Sequence, residues 1–237
     1  SFMFVVFLAA VLIGSALSMV FGTLVLCAVP LLGLGFMVAG ESALAGGPIH
    51  PGQFITPLRQ DARRRRHLLI LCAAFGLSTV LVLWLAHVVD GGALGELQQL
   101  QMKDAPAEEI EALVGEPRFT QGLMLRLGGT ALLSLPFWHA PALIHWGGQG
   151  PGQALFSSLL ARWRTRGAFV VYLATWTGVV ALFAGFTGAA MALLGVRQMA
   201  GLVIMPALLI FSTVFYVSLL FTFADSFDGS GLKTTAP

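Results

Sequence analysis

Apolar residues fall along this chain in long unbroken blocks. Between Phe2 and Ala39 there is no charged residue. That is nearly twice the roughly 20 residues with which a helix crosses a bilayer. The block therefore predicts two helices joined by a tight turn at Phe21, Gly22 and Thr23, where glycine permits turn geometry. The first is expected over about residues 1–20 and the second over about 24–45. The leading run is longer than the apolar region of a cleaved signal, about 7–15 residues, so a retained helix is expected. Pro30 lies inside the second helix, which membrane helices tolerate when neighbours satisfy the freed carbonyl.

Four more blocks follow, at about 67–89, 121–145, 168–194 and 202–223, and Pro136 falls inside the second of these. The fold class is then all-α: a single polytopic membrane helix bundle of about six transmembrane helices over residues 1–227. A polar, flexible tail is expected over 228–237.

The segments between the blocks differ in kind. Gly46 to Gln53 reads as a loop. It leads to Thr56 and Pro57, a helix start with threonine as cap and proline in the first turn. A short helix carrying Arg59, Arg63, Arg64, Arg65 and Arg66 is expected there. A second Gly/Pro loop, Gly147 to Gln153, leads into an amphipathic segment from Ala154 to Arg166 with Arg162, Arg164 and Arg166. These are the two expected interfacial basic helices. Residues 90–118 are acidic, with seven carboxylates opposed only by Lys103 and Arg118. A short acidic helix is expected over 104–114.

Charge now sets orientation. Short loops rich in arginine stay in the cytoplasm. In a six-span arrangement both arginine-bearing segments lie on one side, with both termini cytoplasmic and the acidic loop outside. The expected location is a membrane. Composition agrees: 57% of residues are hydrophobic and 10% charged, against about 25% charged in ordinary soluble domains.

The two basic segments also resemble each other. Gly47, Pro51, Gly52, Gln53, Arg64 and Arg66 recur as Gly147, Pro151, Gly152, Gln153, Arg164 and Arg166, offset by 100 positions throughout. The pattern suggests a parallel internal repeat, with helices two and three matched to helices four and five. Such repeats are related by an axis along the membrane normal. Small residues at four-residue spacing, as at Ala181, Gly185 and Ala189, suit close helix packing.

Several stretches carry a further resemblance. They are Pro30-Leu-Leu-Gly-Leu-Gly-Phe-Met, Pro141-Ala-Leu-Ile-His-Trp, the Ala154-Leu-Phe-Ser-Ser run with its arginines, and Val214-Phe-Tyr-Val-Ser ahead of Asp225. Over about residues 24–228 the chain resembles a proteobacterial family of uncharacterised polytopic inner-membrane proteins. The resemblance implies an inner-membrane bundle and no assigned activity, substrate or catalytic residue. It also implies an amphipathic, basic segment ahead of the first span, so that Ser1 is not the native start.

Ionisable groups inside a membrane are functional candidates. Glu41, His139, His145 and Asp225 gather, by depth, toward the cytoplasmic ends of helices two, four and six. One reading is a polar pocket for a cation, a proton or a head group. The other is a set of interfacial groups satisfying carbonyls freed by Pro136 and Pro141. His87 and Arg126 lie toward the outer ends, with Arg126 within snorkelling reach of the interface. Arg63, Arg64, Arg66, Arg162, Arg164 and Arg166 are candidate contacts to anionic lipid.

No metal site is expected, because His139 and His145 do not share a helix face and Cys27 and Cys72 stand alone. No cofactor is expected, and nothing in the sequence suggests nucleic acid. There is no nucleophile elbow, phosphate loop or zinc motif, so the chain is read as a non-enzyme. Two roles remain. The first is an accessory or scaffold subunit of a larger membrane complex. The alternative is a small transporter or channel for a lipid or small solute, in which Glu41 and His139 line one cavity.

Overall fold

The computed structural model describes residues 19–59, 61–103, 105–195 and 200–227. The expected first span falls almost wholly outside them. Among the described residues every regular element is helical. Helix α1 (Met19–Leu44) leads through two 3-10 turns, Pro51–Phe54 and Thr56–Arg59, into α2 (Ala62–Asp90). The acidic segment folds as α3 (Ala93–Met102) and α4 (Ala107–Val114). Helices α5 (Pro117–Phe137) and α6 (Ala140–His145) follow. Then come α7 (Pro151–Arg164), α8 (Arg166–Leu193) and α9 (Ala200–Ser226). Five stretches are long and apolar enough to cross a membrane: Gly22–Leu44, Ala62–Asp90, Pro117–His145, Arg166–Leu193 and Val203–Ser226.

The turn expected at Phe21, Gly22 and Thr23 is absent, and α1 runs through it. A helix satisfies its own backbone groups, and in lipid an exposed turn cannot. One glycine is too weak a signal to override that.

The first basic segment also differs from expectation. No separate arginine helix lies there. Asp61 accepts a hydrogen bond from the Arg64 backbone N–H at 2.9 Å and caps α2 directly. Arg63 to Arg66 thus form the first turns of a spanning helix. The second basic segment is a helix, α7, as expected. The 100-residue correspondence holds locally at Pro51 and Pro151, each the first residue of a helical turn, but not at the glutamines. Gln53 is buried and donates to the Pro48 carbonyl at 3.0 Å, while Gln153 is exposed at the start of α7.

The spanning helix expected over 121–145 is broken in two. Pro141 has no N–H to offer the carbonyl of Phe137, and its ring clashes with that carbonyl. Helix α5 stops at Phe137 and α6 restarts at Ala140. Ser158 of α7 receives the His139 backbone N–H at 3.2 Å, so the break is closed by a neighbour.

Helices α1, α2, α6 and α9 surround the main core, toward the arginine-bearing end. Leu34, Met37, Leu68, Leu71, Ile144 and Phe223 are almost fully buried there. Lipid is as apolar as leucine, so close packing and polar ties hold such helices together. Glycines allow the closest approaches. A Cβ on Gly76 of α2 would overlap Cys27 Sγ of α1, and one on Gly122 of α5 would overlap the Asp90 side chain of α2. A smaller core of Ala93, Leu113 and Phe119 lies under the acidic segment.

Candidate functional site

The ionisable candidates separate into three places. The first is built where α5 breaks. The face of α7 that carries Ala154, Ser158, Ala161 and Arg162 is turned inward, and all four are buried. Arg162 is therefore not a lipid contact. It is 7% exposed, and its guanidinium lies 4.7 Å from the Trp138 ring centre and 4.3 Å from that of Phe169. Its Nη2 donates to the His139 ring, 3.0 Å from Nε2 and 3.4 Å from Nδ1. His139 is fully buried, with Nε2 also 3.1 Å from Thr222 Oγ1 and the rings of Phe223 and Phe227 against it.

Among the described residues, no carboxylate pairs with Arg162, and its Nε has no partner. Burial pushes the Arg162 guanidinium down to about 10, and the nearby Tyr172 hydroxyl opposes that shift. That downward shift is a penalty on the charged form. Two aromatic faces return part of it through cation–π attraction.

The second place is the arginine-bearing end of α1, α2 and α6. Glu41 is half-buried against the indole of Trp146. His145 is buried, with its ring centre 5.1 Å from that of Trp146. Asp225 is exposed near the end of α9. No hydrogen bond or ion pair among the described residues joins any two of Glu41, His139, His145 and Asp225. The rings of Trp146 and Phe223, 5.4 Å apart, stand between the glutamate end and His139. The single polar pocket is not formed, because similar depth along helices says nothing about which way side chains turn.

At this end Arg64 Nη1 donates to the His145 carbonyl at 3.0 Å, and His67 Nδ1 lies 3.3 Å from the Gln149 carbonyl. These contacts fasten the start of α2 to the loop ahead of α7. Arg63, Arg66, Arg164 and Arg166 are exposed.

The third place is at the opposite end of α2 and was not anticipated. Asp90, read from sequence as a loop residue, is 1% exposed. Arg126 Nη2 donates to its Oδ2 at 2.6 Å, and the Gly92 N–H donates to its Oδ1 at 2.8 Å. Arg126 does not snorkel; it ties α5 to α2. The readable signal was two opposite charges at the outer ends of consecutive spans. Among the described residues, no three His, Cys, Asp or Glu side chains converge as metal ligands would.

The chain is 27% identical over 227 residues to a protein of Burkholderia thailandensis named "Probable inner membrane protein". The match covers 95% of this chain and 83% of that protein. This chain is a multi-pass membrane protein. Its similarity to an inner-membrane protein with no activity in its name is what the sequence resemblance implies. No protein-family profile matches the chain, and no solved structure does. Among the described residues of this membrane protein, Arg64, Arg126, His139 and Ser158 hold helices to one another through their polar contacts.

Proposed function

We propose that this protein is an accessory or scaffold subunit of a larger inner-membrane assembly, with its arginine-bearing end in the cytoplasm. One observation carries the reading. Helix α8 is 28 residues long, yet Thr187 is its one buried residue. Ideal Cβ positions on Gly178, Gly185 and Gly188 meet nothing within 4 Å among the described residues. Membrane helices use such small residues to bring a neighbouring helix close. A face of this kind, without a neighbour among the described residues, suits a partner subunit.

The transport reading draws less support. It needs Glu41 and His139 on one cavity, and Trp146 and Phe223 separate them. The apolar cavity of about 180 Å3 among α1, α2, α5, α6 and α9 is lined by neither.

Native mass measurement after mild extraction tests the proposal, together with photo-crosslinking from position 185. Crosslinks to another polypeptide or to a second copy are expected. A lone monomer whose position 185 crosslinks only to its own residues 1–18 would overturn it.

A further inference from the structure

A groove of about 540 Å3 opens between the first turns of α2 and the start of α7. It is lined by Ala62, Arg63, Arg66, His67, Ile70 and Pro151. Its walls are fixed in register by the two ties across them, Arg64 to the His145 carbonyl and His67 to the Gln149 carbonyl. Of the arginines in this run, Arg64 alone has a carboxylate within ion-pair distance among the described residues, Asp61 at 3.6 Å. Arg63 and Arg66 are exposed and keep their charge available. Guanidinium groups match phosphate oxygens in paired hydrogen bonds.

The wall opposite is the N-terminal end of α7. Pro151 stands at its first position, and Gly150 caps it without a side-chain bond. The exposed N–H groups of Gly152 and Gln153 add the positive end of a helix dipole beside the two arginines.

We propose that this groove holds the phosphate of an anionic glycerolipid, with Arg63 and Arg66 on the headgroup and the apolar face of α2 along an acyl chain. The lipid source, rather than a soluble phosphate, follows from what lies beyond the arginines. Ile70 forms part of the groove itself. Leu77 and Leu81 continue down the same side of α2, 65% and 55% exposed. A headgroup seated between the arginines places its chain on that stripe. The inference goes beyond the scaffold reading and does not depend on it.

Native mass spectrometry of the purified chain with added phosphatidylglycerol or phosphatidylcholine tests the site. Phosphatidylglycerol is expected to stay bound, and R63Q/R66Q to weaken it about 25-fold, at about a factor of five for each arginine. K103Q, which removes an exposed cation from the acidic segment, is expected to leave binding unchanged. R63K/R66K keeps the charge and is expected to recover most of it, which separates a charge effect from misfolding. Equal binding by R63Q/R66Q and the parent, or equal loss in K103Q, would overturn the proposal. So would glycerol phosphate binding as tightly as the lipid, which would mark a site for a soluble anion.

Discussion

Arg162 Nη2 lies 3.0 Å from His139 Nε2, and both side chains are withdrawn from the surface. An arginine has no lone pair, so the imidazole nitrogen accepts in this contact. The cation is held by a ring nitrogen and two aromatic faces in place of a carboxylate. Such an arrangement fixes α7 against the break between α5 and α6, at the cost of keeping a guanidinium out of water.

That cost makes a distinction testable. R162A empties a packed site, and a loss of about 2–4 kcal/mol is expected from the cavity left behind. R162M fills the same space without the charge, and apolar replacement of buried ions is often neutral or stabilising. R162M is therefore expected to unfold in detergent no earlier than the parent. The sign with pH is consistent. The folded state holds Arg162's proton less tightly than the unfolded state, so its penalty fades as pH rises above about 10. Thermal unfolding followed by tryptophan fluorescence reports both effects, because Trp138 lies against the guanidinium.

Asp90 and Arg126 behave oppositely. Removing one partner strands a buried charge, at about 3–5 kcal/mol. D90L and R126M are each expected to lower the unfolding midpoint strongly, and the D90L/R126M double variant to recover much of the loss. A double variant as unstable as the sum of the two single variants would show that the pair is not coupled.

Glycine contacts give a third expectation. G122A and G76A each force helix axes apart, at about 1–3 kcal/mol. In G76A the first obstacle is the Cys27 sulfur. C27A/G76A is expected to be more stable than G76A, with the Cys27 backbone still limiting full recovery. Calorimetry in one detergent compares the three variants.

Asp61 supplies a pH dependence. The Arg64 backbone N–H it accepts holds its carboxyl below the ordinary value of 3.8. The cap is complete above the ordinary value and is lost as pH falls through the lower folded value. The hydrogen-exchange protection of residues 63–66 is expected to fall as pH drops below the ordinary value of 3.8 in the parent, and to be reduced at all pH values in D61A.

The spans were legible because lipid imposes a length and a composition that no other solvent does. Boundaries were less so. The helix start expected near 67 moved to Ala62, because Asp61 caps more effectively than the Thr56–Pro57 signal. Rotation about each helix was the hidden variable in the candidate site. Glu41 and His139 matched in depth but face different neighbours. Arg162 and Arg164 looked alike in composition, yet residues two apart on a helix point to nearly opposite sides. That spacing could have flagged one of them as buried. Asp90 escaped notice because it ends an apolar run and sits at the edge of an acidic segment.

The tie between Asp90 and Arg126 bears on how the chain enters its membrane. Translation brings the carboxylate out first, and its arginine follows 36 residues later. During that interval α2 carries an unneutralised anion at its far end. Helices α2 and α5 are thus best released sideways as one hairpin.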